Sequence, residues 1–354
     1  MKVAFVGPPQ SGKTTLFRAV TGQFEDPTHG VQERVAVVKV PDPRLDFLAE
    51  LYKPKKYTPA TIEVVDVPGF SQVTAQQQAE FRRHIPSLKI CDGLVAVVRA
   101  FDNPNVAAYR DRVDPRADLE ELHAELIFAD LETVANRIEK LEKALTKPTR
   151  THEQEKHELA LMQRCREALE NEKPLSDVVT SDDDRKLVKG FRFLTQMPLV
   201  VVVNVNDRDA ANPPLFDYPK ASAMVGLCAN TEAEIAQLPP EDRKAFLDDL
   251  GVTEPARDRL IRACYDAMGM ISFLTYGPDE VRAWSIRRGT VAVDAAGEIH
   301  SDLARGFIRA ETVAFEDLRA AGDMKAAKAA GKVRLEGKNY VVQDGDCILI
   351  KFNV

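Results

Sequence analysis

The sequence predicts an α/β protein: a doubly wound sheet with a helical hairpin inserted into it, followed by a small α+β domain. The first observation is a series of short apolar runs separated by helix-length segments, which is typical of a doubly wound sheet. The runs lie at residues 3–6, 35–40, 62–66, 94–98, 199–204 and 223–227. From these runs we predict that residues 1–117 and 176–276 form one domain, which contains the doubly wound sheet.

The second observation is a segment from Asp118 to about Lys173 that is rich in Glu, Lys, Leu and Ala. Its apolar residues follow a 4-3-4-3-4 spacing typical of a helix seam, at Ile127, Leu131, Val134, Ile138, Leu141 and Leu145. A break at 147–149 separates it from a second amphipathic run. The pattern predicts an antiparallel helical hairpin over residues 118–175, which serves either as an arm for a partner or as a structural buttress.

The third observation is a change of pattern after Tyr276-Gly277. Short alternating runs such as Val281–Ile286 and Tyr340–Val342 follow, separated by turn residues. This pattern predicts a separate α+β domain over residues 277–354.

The composition is that of an ordinary globular protein, because 44% of the 354 residues are hydrophobic and 29% are charged. No apolar stretch approaches the ~20 residues that cross a bilayer, so we expect a cytoplasmic protein without membrane contact. A net charge of −7 disfavours a surface built wholly for nucleic acid, and we expect no reading of DNA sequence. The five cysteines are scattered, which argues against disulfide or zinc frameworks.

A complete Walker A loop, G-P-P-Q-S-G-K-T, follows the first apolar run directly. Its glycines allow a tight turn, so that backbone N–H groups point at phosphate oxygens. Lys13 is expected to reach the β- and γ-phosphates, and Thr14 to offer its hydroxyl to Mg²⁺. The predicted nucleotide-binding residues here are Gly7, Pro8, Pro9, Gln10, Ser11, Gly12, Lys13, Thr14 and Thr15.

A second nucleotide motif, Asp66-Val67-Pro68-Gly69, ends a strand-like run. The carboxylate of Asp66 is expected close to Mg²⁺ and the γ-phosphate, and Gly69 can offer its N–H to that phosphate. A D-x-P-G turn about fifty residues after a Walker A loop indicates a G-protein-like switch NTPase rather than a small-molecule kinase.

The base-reading motif is expected after a later strand, and Asn204-Val205-Asn206-Asp207 supplies N-x-x-D there. Asn204 would brace the Walker A loop and Asp207 would face the base edge, although residues 206–209 also fit the bare pattern. Val205 stands where guanine-reading loops usually have lysine. Cys228 and Ala229 would complete the pocket with backbone N–H groups.

Together with the C-terminal stretch, these motifs resemble the Obg-related YchF/Ola family of TRAFAC-class P-loop NTPases. The resemblance covers nearly the whole chain. It shows in Pro41-Asp42-Pro43-Arg44 and Ala129-Asp130-Leu131-Glu132-Thr133. It is strongest in the C-terminal segments Glu280-Val281-Arg282-Ala283-Trp284, Gly306-Phe307-Ile308-Arg309-Ala310 and Phe352-Asn353-Val354. The resemblance implies a G domain, an inserted coiled-coil arm and a C-terminal ubiquitin-like TGS domain. It also implies association with the ribosome or structured RNA, through the arm and the TGS domain.

The chain departs from the family's pattern at several positions. Gln10 replaces an asparagine that helps to hold a monovalent cation in related enzymes. The segment from Phe70 to Gln78 lacks the glycines and lysines of the family's switch. Ala108 stands where the family often has a histidine proposed for catalysis, so that role is unfilled here.

The choice between GTP and ATP stays open. The family commonly has glutamate at the position of Asp207 and is linked to ATP. The shorter side chain of Asp207 places its carboxylate where it suits the N1–H and 2-amino groups of guanine. A site that depends on such hydrogen bonds can reject an analogue lacking them by about 10⁴-fold. The local chemistry leans slightly towards GTP, and the missing lysine at Val205 argues against it.

The leading hypothesis is slow hydrolysis of the γ-phosphate, with Lys13, Thr14-bound Mg²⁺ and backbone N–H groups such as that of Gly69 stabilising the developing charge. Phe70 stands where switch GTPases often have a water-orienting glutamine, so backbone, a moving residue or a partner must orient the water. Thr28 is the candidate for a second Mg²⁺-sensing hydroxyl. The competing hypothesis is a nucleotide-gated adaptor for the ribosome or RNA with vestigial hydrolysis. A monomer is expected in either case.

Overall fold

The computed structural model describes residues 1–24, 34–70, 74–146 and 151–353. Its strands are β1 (Lys2–Val6), β2 (Arg34–Lys39), β3 (Lys56–Thr58), β4 (Thr61–Asp66), β5 (Gly93–Arg99), β6 (Leu199–Asn204), β7 (Ala223–Leu227), β8 (Met270–Thr275), β9 (Glu280–Arg287), β10 (Phe307–Ala314), β11 (Arg334–Glu336) and β12 (Asp346–Phe352). Its helices are α1 (Lys13–Thr21), α2 (Pro43–Tyr52), α3 (Ala75–Arg82), α4 (Ile85–Lys89), α5 (Pro115–Leu145), α6 (His152–Glu170), α7 (Asp182–Val188), α8 (Ala229–Gln237), α9 (Pro240–Asp249), α10 (Ala256–Ala267), α11 (Ala292–Ile299), α12 (Ser301–Arg305), α13 (Phe315–Ala321) and α14 (Met324–Ala329). None of the helices in these ranges has the length and apolar character that a membrane span requires.

The chain divides into two compact units. The first comprises Met1–Ala36 and Glu63–Arg257, and the second comprises Val37–Ile62 and Asp258–Val354. Each unit carries a sheet of six strands.

The sheet of the first unit has the order β2-β4-β1-β5-β6-β7. Neighbours from β4 to β7 pair in parallel, with Phe5 opposite Asp66 and Arg99 opposite Asn204. Because parallel strands point the same way, the loops that follow β1, β4, β5 and β6 meet at one edge of the sheet. These strands match the predicted apolar runs to within one residue at either end.

The central strands β5 and β6 are buried along their whole length. This explains their continuous runs of valine and leucine, since a parallel strand that is covered on both faces has no solvent side for polar residues. Their side chains join those of β1 and β4 in one core, which also contains Phe70, Phe81 and Leu119. This shared core holds the four strands in place, and so it fixes the positions of the loops that follow β1, β4, β5 and β6.

The predicted hairpin is formed by α5 and α6, which pack along each other. The seam predicted from the heptad spacing is buried at Val134, Ile138 and Leu141. These side chains meet Leu161 and Met162 of α6 in a second hydrophobic core.

The hairpin is more enclosed than the sequence pattern indicates. Its core also includes Leu175, Val179, Val188 and Phe193, which follow α6 in the chain. The predicted limit at residue 175 therefore cuts through one continuous cluster. This packing favours a buttress over that stretch, and use of the hairpin as a partner-binding arm stays a prediction.

The second unit is an α+β structure on a mixed sheet with the order β11-β10-β12-β8-β9-β3. The pairs β8·β9, β10·β12 and β10·β11 are antiparallel, whereas β12·β8 and β3·β9 are parallel. Its core contains Phe273, Ile286, Ala296, Phe307 and Ile348.

The second unit begins earlier than the predicted limit at residue 277, and it includes a segment from the amino-terminal third. β8 precedes that limit but pairs with β9 from Met270 to Thr275. Residues 37–62 belong to this unit because β3 pairs with β9 and because Arg44 bonds Asp344 at 2.8 Å. Local sequence patterns do not reveal such long-range pairings. The predicted limits 1–117, 118–175, 176–276 and 277–354 stay predictions about domains.

Candidate functional site

The loop between β1 and α1 requires glycine at two positions. Gly7 has φ 144° and Gly12 has φ 94°. A Cβ atom on Gly7 would lie 2.2 Å from the carbonyl oxygen of Val97, and one on Gly12 would lie 2.1 Å from the side-chain nitrogen of Asn204. Gln10 also has a positive φ of 61°, which is costly for a residue with a Cβ atom. The two glycines let the loop pass directly against the ends of β5 and β6.

The first residue of α1, Lys13, is buried, with only 7% of its surface exposed. Its Nζ donates to the carbonyl oxygens of Gly7 at 3.0 Å and Pro8 at 2.9 Å. Burial lowers the pKa of Lys13 to about 8, and the nearby Asp66 carboxylate opposes that shift. The ammonium group is thus held against the loop, where its charge lacks full hydration and favours an anionic ligand.

Thr14 and Asp66 bring two oxygen ligands together beside the loop. The Thr14 hydroxyl donates to Asp66 Oδ2 at 3.1 Å, across 52 positions of sequence. Burial raises the pKa of the Asp66 carboxyl, with Lys13 and Thr14 opposing the shift. A hydroxyl and a carboxylate are hard oxygen ligands of the kind that Mg²⁺ prefers, so the residues present fit that ion. The predicted further ligand, Thr28, lies outside the described residues.

The turn after β4 lies directly on the Walker A loop, between β1 and α1. A Cβ atom on Gly69 would be 2.9 Å from the Pro9 nitrogen and 3.1 Å from Lys13 Nζ. The Phe70 backbone N–H donates to the Gly7 carbonyl at 3.2 Å. Phe70 itself is fully buried, and its ring makes edge contacts with those of Phe81 and Tyr109. Phe70 is therefore a core residue.

Asn204, the last residue of β6, connects two loops. Its Nδ2 donates to the Ser11 carbonyl at 2.9 Å, and its Oδ1 accepts from the Ala229 N–H at 2.9 Å. This geometry matches the bracing role expected from the first N-x-x-D frame. In the alternative frame, Asn206 precedes a short 3₁₀ turn over Asp207–Asp209 and lines the adjacent cavity.

The carboxylate of Asp207 is held by two donors from the start of α8. Its Oδ1 accepts from Cys228 Sγ at 2.7 Å and from the Thr231 hydroxyl at 2.8 Å. Burial raises the pKa of the Cys228 thiol, and the Asp207 carboxylate raises it further. Thr231 was not predicted from the sequence, although it lies one helical turn beyond Cys228 and faces the same side.

The loop between β1 and α1, the turn after β6 and the start of α8 border a half-open cavity of about 400 Å³. Of the predicted nucleotide-binding residues, the cavity is lined by Gln10, Gly12, Thr15, Asn204, Val205, Asp207 and Cys228. Ser11 and Ala229 lie behind this lining as the hydrogen-bond partners of Asn204. The cavity therefore begins at the Walker A loop and continues along the expected base-reading residues.

One part of the cavity was missed at the sequence level. Phe101, Asp102, Asn103 and Val106 line it, and they follow β5 directly. The sequence does hold a signal for this segment: it directly follows a predicted strand, and ligands of doubly wound sheets bind beyond the carboxyl ends of the strands. The segment carries no recognised motif, so its contribution was not anticipated.

Comparison with known proteins identifies the family. "Ribosome-binding ATPase YchF" of Bacillus subtilis (strain 168) is 39% identical over 367 residues, which cover 100% of both chains. The chain belongs to the YchF family. The YchF protein of Escherichia coli O157:H7 is 37% identical over 100% of this chain and 99% of its own length. "Obg-like ATPase 1" of Oryza sativa subsp. japonica is 36% identical over 100% of this chain and 92% of its own length.

Two family models and one solved structure agree with this assignment to the YchF family. Residues 2–137 match the model described as "50S ribosome-binding GTPase". Residues 270–353 match YchF-GTPase_C, described as "Protein of unknown function (DUF933)". The Schizosaccharomyces pombe YchF GTPase covers 99% of this chain and 97% of its own, with 29% identity and a TM-score of 0.85. The predicted α/β fold class is confirmed, with a P-loop GTPase domain and a C-terminal YchF domain, whereas the ubiquitin-like TGS assignment of the C-terminal domain stays a prediction.

Two departures from the YchF pattern have a structural counterpart here. Ala108, where a family histidine was expected, directly precedes a 3₁₀ turn over Tyr109–Asp111 and brings only a methyl group. Phe70 begins the altered switch segment and lies in the core. Residues 71–73 of that segment are outside the described part of the chain.

Proposed function

We propose that this chain binds a purine nucleoside triphosphate with Mg²⁺, hydrolyses the γ-phosphate slowly and acts as a ribosome-associated switch. The observation that carries the proposal is that Lys13, the Thr14–Asp66 pair and Gly69 meet beside one glycine-dependent loop, the loop between β1 and α1. Family membership supports it, because relatives are named ribosome-binding ATPases.

The proposed binding residues fall into two groups. The first group would bind the triphosphate and comprises Gly7, Pro8, Pro9, Gln10, Ser11, Gly12, Lys13, Thr14 and Thr15. The second group would bind the base and comprises Asn204, Val205, Asp207, Cys228 and Ala229. The cavity that runs from Gln10 to Asp207 has room for the nucleoside between these groups.

In the proposed reaction the protein supplies mainly electrostatic stabilisation. Mg²⁺ would be held by Thr14 and Asp66, with Thr28 as a proposed further ligand, and would neutralise phosphate charge. Lys13 would stabilise charge on the transferring phosphoryl group, and the Gly69 N–H would donate to it. Phe70 has no hydrogen-bonding side chain, so the water is oriented by backbone, by a residue that moves or by a partner.

The two purines make opposite demands on Asp207. Guanine would donate N1–H and 2-amino hydrogens to the carboxylate, whereas adenine would present its N1 lone pair to it. The names of the relatives favour ATP, and the carboxylate length favours GTP. Titration of the purified chain with labelled Mg-ATP and Mg-GTP decides between them.

The central test compares the natural chain with Lys13→Ala in multiple-turnover phosphate release, with and without ribosomes. We expect the variant to lose at least about 100-fold in rate, because the buried cation is removed from the phosphate site. Lys325→Ala, which removes an exposed lysine of α14 outside the proposed site, serves as the control. An unchanged rate in Lys13→Ala would contradict hydrolysis at this site.

The second candidate function is a nucleotide-gated ribosome adaptor with vestigial hydrolysis. Ala108 at the position of the expected histidine and the buried Phe70 favour it. Nucleotide-dependent ribosome cosedimentation without turnover would support the adaptor. Turnover stimulated by ribosomes would support the enzyme.

We also propose a cytoplasmic monomer that contacts the ribosome or structured RNA through the hairpin and the C-terminal domain. Arg287 and Arg288 are exposed near the end of β9 and are candidates for RNA contact. Reversing both charges should weaken ribosome cosedimentation and reduce its salt dependence. Lys325→Glu, an exposed charge on α14, is the control for a change of net charge alone.

A further inference from the structure

Arg99 is a buried arginine at the end of β5, with 4% of its surface exposed. Its guanidinium donates to backbone carbonyls of the segment that follows. The acceptors are Phe101 at 3.0 Å, Val106 at 3.1 Å, Ala107 at 3.2 Å and Asn103 at 3.5 Å. The guanidinium carbon also lies 4.5 Å from the centre of the Phe101 ring.

This arrangement is unusual for a buried cation. Removing a guanidinium from water is costly, and buried arginines commonly recover that cost from a carboxylate. In the described part of the chain, the hydrogen bonds of Arg99 go to backbone carbonyl oxygens, and its guanidinium lies over the ring of Phe101. The guanidinium of Arg99 therefore interacts mainly with the backbone of one short segment, residues 101–107.

The segment that Arg99 holds has little regular structure of its own. Residues 100–108 contain neither helix nor strand. A loop without a backbone ladder keeps one conformation only if other groups satisfy its carbonyls. Arg99 satisfies four of them from inside the loop.

The same segment lines the cavity. Phe101, Asp102, Asn103 and Val106 border the space that Asn204 and Asp207 also border. The phosphate-binding loop is held differently, by Asn204 on Ser11 and by the Phe70 N–H on Gly7. The side chain of Arg99 takes part in neither of these contacts.

We propose that Arg99 is a positioning residue for the nucleoside side of the cavity. By holding residues 101–107 in place, it preforms the surface against which the base and ribose pack, while the phosphate-binding loop keeps its own supports. This inference rests on the proposed function, because it assumes that a nucleoside triphosphate occupies the cavity. Its consequence is selective: loss of Arg99 weakens recognition of the nucleoside but not of the phosphate chain.

The test compares Mg-ATP and Mg-GTP with Mg-tripolyphosphate, which lacks base and ribose. Arg99→Met keeps the length of the side chain and removes the donors, and Arg99→Lys keeps the charge with fewer donors. For Arg99→Met we expect the Kd of the preferred nucleotide to rise about ten-fold, with the Kd of tripolyphosphate within about two-fold of the natural value. Arg99→Lys should give a smaller rise. In turnover, KM should rise while kcat stays within about two-fold.

Arg192 supplies the control, because it also donates to backbone carbonyls, those of Lys89 and Cys91, away from the cavity. Arg192→Met should leave the ratio of the two Kd values unchanged. If Arg99→Met does not fold, the same ratio measured on Arg99→Lys decides the matter.

Several results would overturn the inference. Equal weakening of nucleotide and tripolyphosphate would indicate a general structural role, and unchanged nucleotide affinity in both Arg99 variants would remove the role altogether. If the natural chain binds neither nucleotide nor tripolyphosphate, the proposed function fails and this inference fails with it.

Discussion

Asn204 donates a hydrogen bond of 2.9 Å to the backbone carbonyl of Ser11, across 193 positions of sequence. The same side chain accepts the N–H of Ala229 at the start of α8. One buried amide therefore connects the Walker A loop with the start of α8, the proposed phosphate and base sides of the site. Disturbing it should affect both halves of the proposed nucleotide site.

Gly12→Ala tests this relation without removing a polar group. The new Cβ atom would lie 2.1 Å from Asn204 Nδ2 and would sit at φ 94°. We expect nucleotide affinity to fall about 100-fold, because backbone strain is added to the displacement of the bracing amide. Fluorescent-nucleotide titration measures the change.

The matched control is Gly22→Ala at the end of α1. Its φ is 70°, and apart from Gly22 itself and its chain neighbours no heavy atom lies within 4 Å of the added Cβ. It should cost only about 1 kcal/mol in the free energy of unfolding and leave nucleotide affinity unchanged. Equal affinities for the two variants would refute the importance of the Gly12–Asn204 contact.

Asp207→Asn should separate the two purines. If guanine is read by the carboxylate, the substitution removes charge-assisted hydrogen bonds and GTP affinity falls about 100-fold. ATP affinity should not fall, because adenine presents its N1 lone pair at this position and the asparagine amide can donate to it. Competitive titration with both nucleotides gives the ratio.

Asp209→Asn is the control and also tests the alternative N-x-x-D frame. Asp209 lies two residues further along the same 3₁₀ turn and is near Arg208 at 3.5 Å. A loss of purine selectivity in Asp209→Asn, with none in Asp207→Asn, would transfer the role to residues 206–209.

Thr14→Val should weaken Mg²⁺ binding at the proposed metal site. Valine keeps the shape of threonine but has no oxygen, so one of the two hard ligands is lost. We expect the Mg²⁺ concentration for half-maximal turnover to rise by about ten-fold or more. Thr14→Ser retains the hydroxyl and should stay near the natural value. Identical Mg²⁺ dependence in both variants would remove Thr14 from the proposed metal site.

Asp118 should make stability depend on pH. It is 2% exposed at the start of α5, and burial raises its pKa to about 6, while Arg112 at 3.2 Å opposes the shift. The folded pKa thus lies above the ordinary value. The folded state binds this proton more tightly than the unfolded state does. The resulting stabilisation is complete below pH of about 4 and is lost as the pH rises through about 6.

Urea unfolding at pH 5 and pH 7.5 measures the effect. Relative to Asp118→Asn, the natural chain should lose about 1 kcal/mol in the free energy of unfolding between these pH values. Glu120→Gln, an exposed acid on the same helix, should track the natural chain. A constant difference between the natural chain and Asp118→Asn would contradict the raised pKa.

The sequence anticipated the parts of the site that local geometry encodes. Gly7 and Gly12 are required by backbone angles within one loop, and Asp66 and Asn204 end strands whose apolar runs are visible in the sequence. Thr231 and the residues 101–106 were not anticipated. Their roles depend on which loops meet at the sheet edge and on donors from distant segments, and no local pattern records that.

By itself the sequence determined that this chain has a P-loop sheet, a long helical seam and a distinct C-terminal fold. Glycine positions, strand-length apolar runs and heptad spacing are constraints between neighbouring residues. Only the tertiary structure decided that β3 and β8 belong to the second sheet, that residues 175–193 enclose the hairpin and that Arg99 holds one wall of the cavity. Those outcomes depend on strand pairing and burial between residues far apart in the chain. Many alternative pairings satisfy the same local patterns, and packing selects among them.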